Sequence, residues 1–243
     1  MAGWLQGRNV RKSQQQDGVA YSRVDLSHYH LYSAFFFMQN AALVEETASE
    51  VPNSDTVYRY RSYVMGAVFS SVAFLEAKIA EWYADAEDGR GISAKGLTAS
   101  DRTALVAAFG ALRSNTRMLG RYQVALKALR KKSFDADSPP YRPVALVIIL
   151  RNYLVHFPGE WLAMSDADTR RLPQSDIPLI ERQLKGQFPS ATFAWADQPF
   201  FPDQCLSAGC ARWAAESCLT FAQEFSTRTG TVMKHLRPTI GGV

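Results

Sequence analysis

Cysteine is scarce in this chain. Three occur among 243 residues, Cys205, Cys210 and Cys218, all in one segment. An odd, clustered set is not a disulfide framework. Cys205 and Cys210 lack the close spacing of a zinc site and have no histidine nearby to complete one. They read as small residues of a partly buried helix, so no metal set is expected and no cofactor is implied. Long apolar runs are also missing. Val144 to Leu150 gives 7 residues, whereas a membrane helix needs ~20. The first residues, MAGWLQGRNVRKSQQQDG, hold no apolar stretch of the signal-peptide kind. Cytoplasmic residence without membrane association is the expectation. Hairpin signals are absent too: no Asn-Gly or Asp-Gly turn separates two alternating runs, and no internal repeat is visible. Charge of one sign does not dominate, with 27 Lys and Arg against 23 Asp and Glu, a net of +4. That excess is compatible with a nucleic-acid partner without demanding one.

What is present is helical periodicity. Residues 1–25 are polar, carry three glutamines at 14–16 and read as a flexible arm. A helix is expected from Ser27, as its cap, to Ser49. Leu31, Phe35, Met38, Ala42 and Glu45 step along one side of it. A longer one is expected over Thr56–Ala86, where Val64, Val68, Val72, Leu75, Ile79 and Trp82 repeat every 3 or 4 residues. Its small residues Gly66, Ala67, Ser70, Ser71 and Ala73 permit close approach by a partner helix. Glu76 lies in its middle, either as a solvated or lysine-paired group or as a buried partner for a cation elsewhere. Thr98 and Asp101 form a loose capping box before a short helix, about Ser100–Leu112.

A basic helix follows, about Thr116–Lys131. The stretch Arg113, Arg117, Arg121, Lys127, Arg130, Lys131 and Lys132 contains no acid. Such a face is either solvated or a phosphate contact. Pro139 and Pro140 exclude helix, and Pro143 then suits the first turn of a helix to about Phe157. Six prolines punctuate the irregular segment 158–203, which has one short helix near Ile177–Lys185. The last helix runs from about Gln204 to Thr229, and 230–243 is a fraying tail. The expected fold is all-α: one domain over 26–229, a bundle of five to six helices.

The stretch YRPVALVIILRNYLVHFPGEW, 141–161, carries the chemistry. An aliphatic helix delivers Arg151, Asn152 and His156 to its C-terminal end, and the chain breaks at Pro158-Gly159. Asn152 and His156 share a face. Arg151 points roughly 140° away from His156 on a straight helix. A helix frayed at its end, or two copies of the helix about a two-fold axis, would bring the cation and the imidazole together, and the second of these points to a homodimer. The negative helix end attracts a protonated ring, and an imidazole can act as general acid or base. Arg151 keeps its proton, so it suits phosphate binding. Asn152 can orient the ring. This set suits phosphodiester cleavage in which the RNA's own 2′-hydroxyl attacks. A lone histidine at a helix end is equally a structural feature.

The string Arg151-Asn152-Tyr153-Leu154-Val155-His156 resembles the R-N-x-x-x-H motif of the HEPN superfamily. VFSSVAFLEAKIAEWY (68–83), RYQVALKAL, LRNYLVHFPGEW and ARWAAESCLTFAQEF (211–225) resemble, in order, helices of its bacterial stand-alone members. The resemblance covers about 60–229. It implies an all-helical HEPN-like domain and a metal-independent endoribonuclease of toxin or anti-phage type. Arg151 and His156 would be the catalytic pair, with Asn152 beside them in a cleft between two subunits. RNA would be the substrate, met by Arg117, Arg121, Lys127 and Tyr153, and a cognate antitoxin protein is a candidate partner. Other members of the superfamily are non-catalytic modules that bind a nucleotide or a protein, which is the alternative reading.

Overall fold

The structure, a computed structural model, describes residues 24–49, 51–89, 91, 95–112, 116–157, 159, 165–169, 172, 177–192, 198–233 and 238. Among them the regular structure is helical, with no strand. The helices are α1 (Ser27–Thr47), α2 (Ser54–Asp88), α3 (Ala99–Gly110), α4 (Met118–Ala128), α5 (Tyr141–Val155), α6 (Asp166–Thr169), α7 (Leu179–Leu184) and α8 (Ala208–Thr229). The all-α expectation is met. The described residues form eight helices where five to six were expected of the chain, and the two shortest, α6 and α7, have 4 and 6 residues. The expected arm before Val24, Pro158 with most of the segment 160–176, and most of the tail lie outside the described residues.

α2 is the axis of the bundle. It has 35 residues, about 52 Å at 1.5 Å per residue, and it packs against α1, α3, α4, α5 and α8. Its small residues permit this. A Cβ on Gly66 would lie 2.8 Å from a ring carbon of Phe37, so α1 can settle on α2 only where that side chain is missing. By length and composition α2 also qualifies as a membrane span, with an 18-residue window of mean hydropathy 1.4, and half of that window is buried in the bundle. Counting uninterrupted runs such as Val144–Leu150 therefore passes over α2, whose apolar window is broken by polar residues. A core helix surrounded on several sides reads the same way in sequence.

Aromatic rings lock the helices together. Tyr122 of α4 is fully buried, and its ring meets Phe221 and Phe225 of α8 edge-on, with centroids 5.0 and 4.8 Å away. Its hydroxyl donates to the Leu75 carbonyl at 2.8 Å, a contact of about 1 kcal/mol net. Burial pushes this phenol well above its usual pKa. Phe134 stacks on Phe221 at 4.6 Å and touches Tyr141, the first residue of α5. These rings fix where α5 begins.

Several helix ends match the sequence. Thr98 and Asp101 make both arms of the capping box. Gly89 and Gly230 end α2 and α8 in the left-handed conformation. Ser27 is different. It is the first helical residue, not the cap. Glu81 of α2 caps α1 instead, accepting from the Leu26 and Ser27 amides at 2.6 and 2.8 Å and from the Ser27 hydroxyl. A carboxylate supplied from 54 residues away satisfies the same orphan N–H groups as a local cap. α8 begins at Ala208, after a wide turn over Phe200–Gln204, and not at Gln204 as the sequence predicts.

Candidate functional site

α5 buries Val144, Leu146, Val147 and Leu150, so its next turn is held against the bundle. Arg151 follows directly and is directed at α2. Its Nη2 lies 2.5 Å from Glu76 Oε1, with the two side chains 26% and 49% exposed. An ion pair this open to solvent adds at most about 1 kcal/mol. What it does is orient the guanidinium. Nε is buried and makes no hydrogen bond among the described residues. Glu76 is thus a cation's partner, as one of its two sequence readings had it, but it is half-exposed and not buried.

Asn152 and His156 face outward, and both are exposed. His156 ends the helix: at φ −115 and ψ 28 it is no longer α-helical, and its amide donates to the Asn152 carbonyl at 3.0 Å. Neither side chain makes a hydrogen bond or ion pair among the described residues. Arg151 turns inward and His156 outward, and no recorded contact joins them. Along the axis they lie about 7.5 Å apart.

Tyr153 does not stand clear as a substrate contact. Its ring is wedged edge-on between Phe157 and Phe201, at 5.4 and 5.0 Å. Phe157, next to His156, presents the open ring and is 41% exposed. This aromatic shelf was not anticipated. The signal available in sequence was the four-residue spacing of Tyr153 and Phe157, and Phe201 comes from a distant turn. Beside the shelf, Arg61 of α2 pairs with Asp203. Arg61 and Glu76 thus use the same helix, α2, to reach the turn around Asp203 and the end of α5.

The basic residues lie elsewhere. Arg117 precedes α4 and is exposed, as is Lys127 in its last turn. The carbonyl of Arg121 accepts the Tyr83 hydroxyl at 3.0 Å. Burial raises the Tyr83 phenol, with the Arg121 charge opposing. α4 packs on α2, α3 and α8. No recorded contact brings Arg117, Arg121 or Lys127 to Arg151, Asn152 or His156.

The sequence also missed a part-buried polar junction. Glu45 lies on the apolar line of α1, and that position was its signal. It accepts from the Tyr60 hydroxyl at 2.7 Å, the Thr192 amide at 2.5 Å and the Ala208 amide at 3.2 Å. Burial, then the Glu45 hydrogen bond, drive the Tyr60 phenol far above its usual pKa. The junction caps α8 and ties the loop around residue 192 to α1. The three cysteines are buried as free thiols, and burial raises Cys210 and Cys218. No group of three or more His, Cys, Asp or Glu is placed to hold a metal ion among the described residues.

No protein-family model matches this chain, and neither a curated protein nor a solved structure matches it.

Proposed function

We propose that this chain is a HEPN-like, metal-independent endoribonuclease that works in the cytoplasm as a homodimer, in a bacterial toxin or anti-phage role. The observation that carries the reading is the end of α5. A guanidinium oriented by Glu76 and an exposed imidazole with no partner among the described residues stand within two helical turns of each other. His156 takes the proton from the ribose 2′-hydroxyl, whose oxygen attacks the adjacent phosphorus. The bond to the 5′-oxygen breaks, leaving a 2′,3′-cyclic phosphate and a 5′-hydroxyl that receives a proton. Arg151 stabilises the charge on the phosphorus oxygens in between. Asn152 lies on the outward side with His156 and steadies ring or phosphate.

Arg151 and His156 of one copy diverge, so the reacting pair is composite. Outward aliphatic groups on α5 support a second copy there. Val155 is 52% exposed, and Ala145, Ile148 and Ile149, which pack partly against the core, keep some surface open. Such a stripe on a helix marks a contact surface. Arg117, Arg121 and Lys127 hold RNA further along the phosphate backbone.

The second reading, a non-catalytic module that holds a nucleotide or a protein, draws on Glu76. Its carboxylate already neutralises Arg151 and competes with phosphate. End analysis of RNA incubated with the protein in EDTA separates the two. The nuclease reading expects cyclic phosphate ends that vanish with His156→Ala. Saturable RNA or nucleotide binding without any cleavage by the intact protein establishes the second reading instead.

A further inference from the structure

The outward stripe of α8 forms the floor of a groove unrelated to the Arg151 site. Two hollows, about 570 and 210 Å³, share Trp213 and Glu216. The larger runs from Glu45 and Glu46 of α1, past Phe188, to Arg212 and Trp213. The smaller is walled by Pro139, Pro140 and Pro143 and reaches Ser217 and Thr220. From Gly209 to Thr220 the floor is about 16 Å long at the α-helical rise. An extended chain at ~3.3 Å per residue covers that length with about five residues.

The larger hollow is built in advance. The Ser207 hydroxyl donates to the Pro189 carbonyl at 2.7 Å, and the Thr192 amide to Glu45 at 2.5 Å. Gly209 admits that wall: a Cβ there would lie 2.5 Å from the Pro189 oxygen. A pinned wall lowers the ordering cost of binding. In the centre Phe188 and Trp213 rest together, centroids 5.1 Å apart. Three carboxylates line the larger hollow, Glu45, Glu46 and Glu216, against one guanidinium, Arg212. Glu45 is engaged in the wall, while Glu46 is exposed. In a chain of net charge +4 this concavity has the opposite sign, so a nucleic acid is repelled from it. Its length exceeds a single amino acid or a small amine.

We propose that the groove docks an extended basic segment of a partner protein, with a Lys or Arg side chain laid over Trp213 beside Glu46. An aromatic face with a nearby carboxylate is the combination that holds a desolvated cation. The prolines of the smaller hollow offer apolar walls without N–H groups to satisfy.

The test uses the full chain and fluorescence anisotropy with labelled pentapeptide pools, identical but for a central Arg, Lys or Glu. The Arg and Lys pools are expected to bind at least ~10-fold tighter than the Glu pool, weakening with salt. Glu46→Lys, an exposed change, and Trp213→Ala are each expected to cost ~10-fold or more. Thermal unfolding checks that both variants fold, and Glu46→Lys decides the matter if Trp213→Ala does not. Equal binding of the Arg and Glu pools, or full binding by Glu46→Lys, overturns the proposal. Binding of spermine with no peptide pool bound overturns it in favour of a small polycation. Peptide binding only after Arg8→Ser, Arg11→Ser and Lys12→Ser in the same chain overturns it too, because the occupant is then the protein's own basic N-terminal stretch. RNA cleavage is not a readout here, so the outcome is separate from that of the nuclease reading.

Discussion

The two ends of α5 are held by different means. At the N-terminal end Tyr141 packs against Phe134 and Phe221, centroids 6.4 and 6.2 Å away, and Phe221 packs on Tyr122. The Ser138 carbonyl accepts the amides of both Tyr141 and Arg142. Polar groups there are matched and rings fill the space. At the C-terminal end Arg151 has one exposed partner, and Asn152 and His156 have none among the described residues. Burial and ring contact hold the helix at both ends, at the C-terminal one through Tyr153 between Phe157 and Phe201. What differs is that the C-terminal end also carries polar side chains, Asn152 and His156, that are exposed and make no hydrogen bond among the described residues. A helix held by packing can carry functional side chains that add nothing to its own stability.

The largest effect expected is at the open end. Under the nuclease reading, His156→Ala should lower RNA cleavage by 10²–10⁴-fold, about the contribution of a positioned acid or base. Unfolding free energy should move by no more than ~0.5 kcal/mol, as for an exposed side chain with no partner. Chemical denaturation alongside a cleavage assay reads both. A large loss of stability with cleavage intact would erase the contrast between the two ends.

Phe221→Ala is the counterpart at the closed end. Removing a fully buried ring that meets Tyr122, Phe134 and Tyr141 should cost about 3–5 kcal/mol, read from the urea midpoint. A cost below ~1 kcal/mol would mean that the aromatic cluster does not position α5.

These two ends differed in how legible they were. The closed end followed local rules: Pro139-Pro140 barring helix, Pro143 in a first turn, and an aliphatic run of the right length. The capping box at Thr98 was equally local. The open end could be read for residue types but not for partners. Glu76 is 75 residues from Arg151 in sequence, and nothing in either neighbourhood names the other. The same holds for Glu81 on α1, and for Glu45, whose place on an apolar line betrayed burial but not Thr192 or Ala208. Long-range polar pairing depends on how helices are rotated and stacked, and periodicity alone does not contain that.

Glu76→Gln sharpens the contrast with a smaller effect. Losing a half-exposed ion pair should change stability by less than ~1 kcal/mol. Under the nuclease reading KM for RNA should fall, since a carboxylate no longer competes for Arg151. The kcat should fall about tenfold, because the guanidinium loses its fixed orientation. Unchanged kcat and KM with a measurable stability loss would make the pair structural.

The smallest effect belongs to the turn that leads into the closed end. Asp135 accepts the Ser138 hydroxyl at 2.6 Å and the Asp137 amide at 3.1 Å. Those hydrogen bonds, the Ser138 one first, hold its carboxyl below the ordinary aspartate value of 3.8. A carboxyl depressed in the folded state favours folding once pH is above its unfolded value. The contribution fades as pH falls through the folded value, because the protonated acid no longer accepts both bonds. Asp135 is on the surface, so the change is small and concerns only the acid limb. Asp135→Asn should therefore flatten the pH dependence of the unfolding midpoint below pH ~4. It should leave RNA cleavage at neutral pH unaltered, since the turn lies at the opposite end of α5 from His156. An equal acid-limb slope in the two proteins would show that the turn does not help to start the helix, and that the rings alone define the closed end.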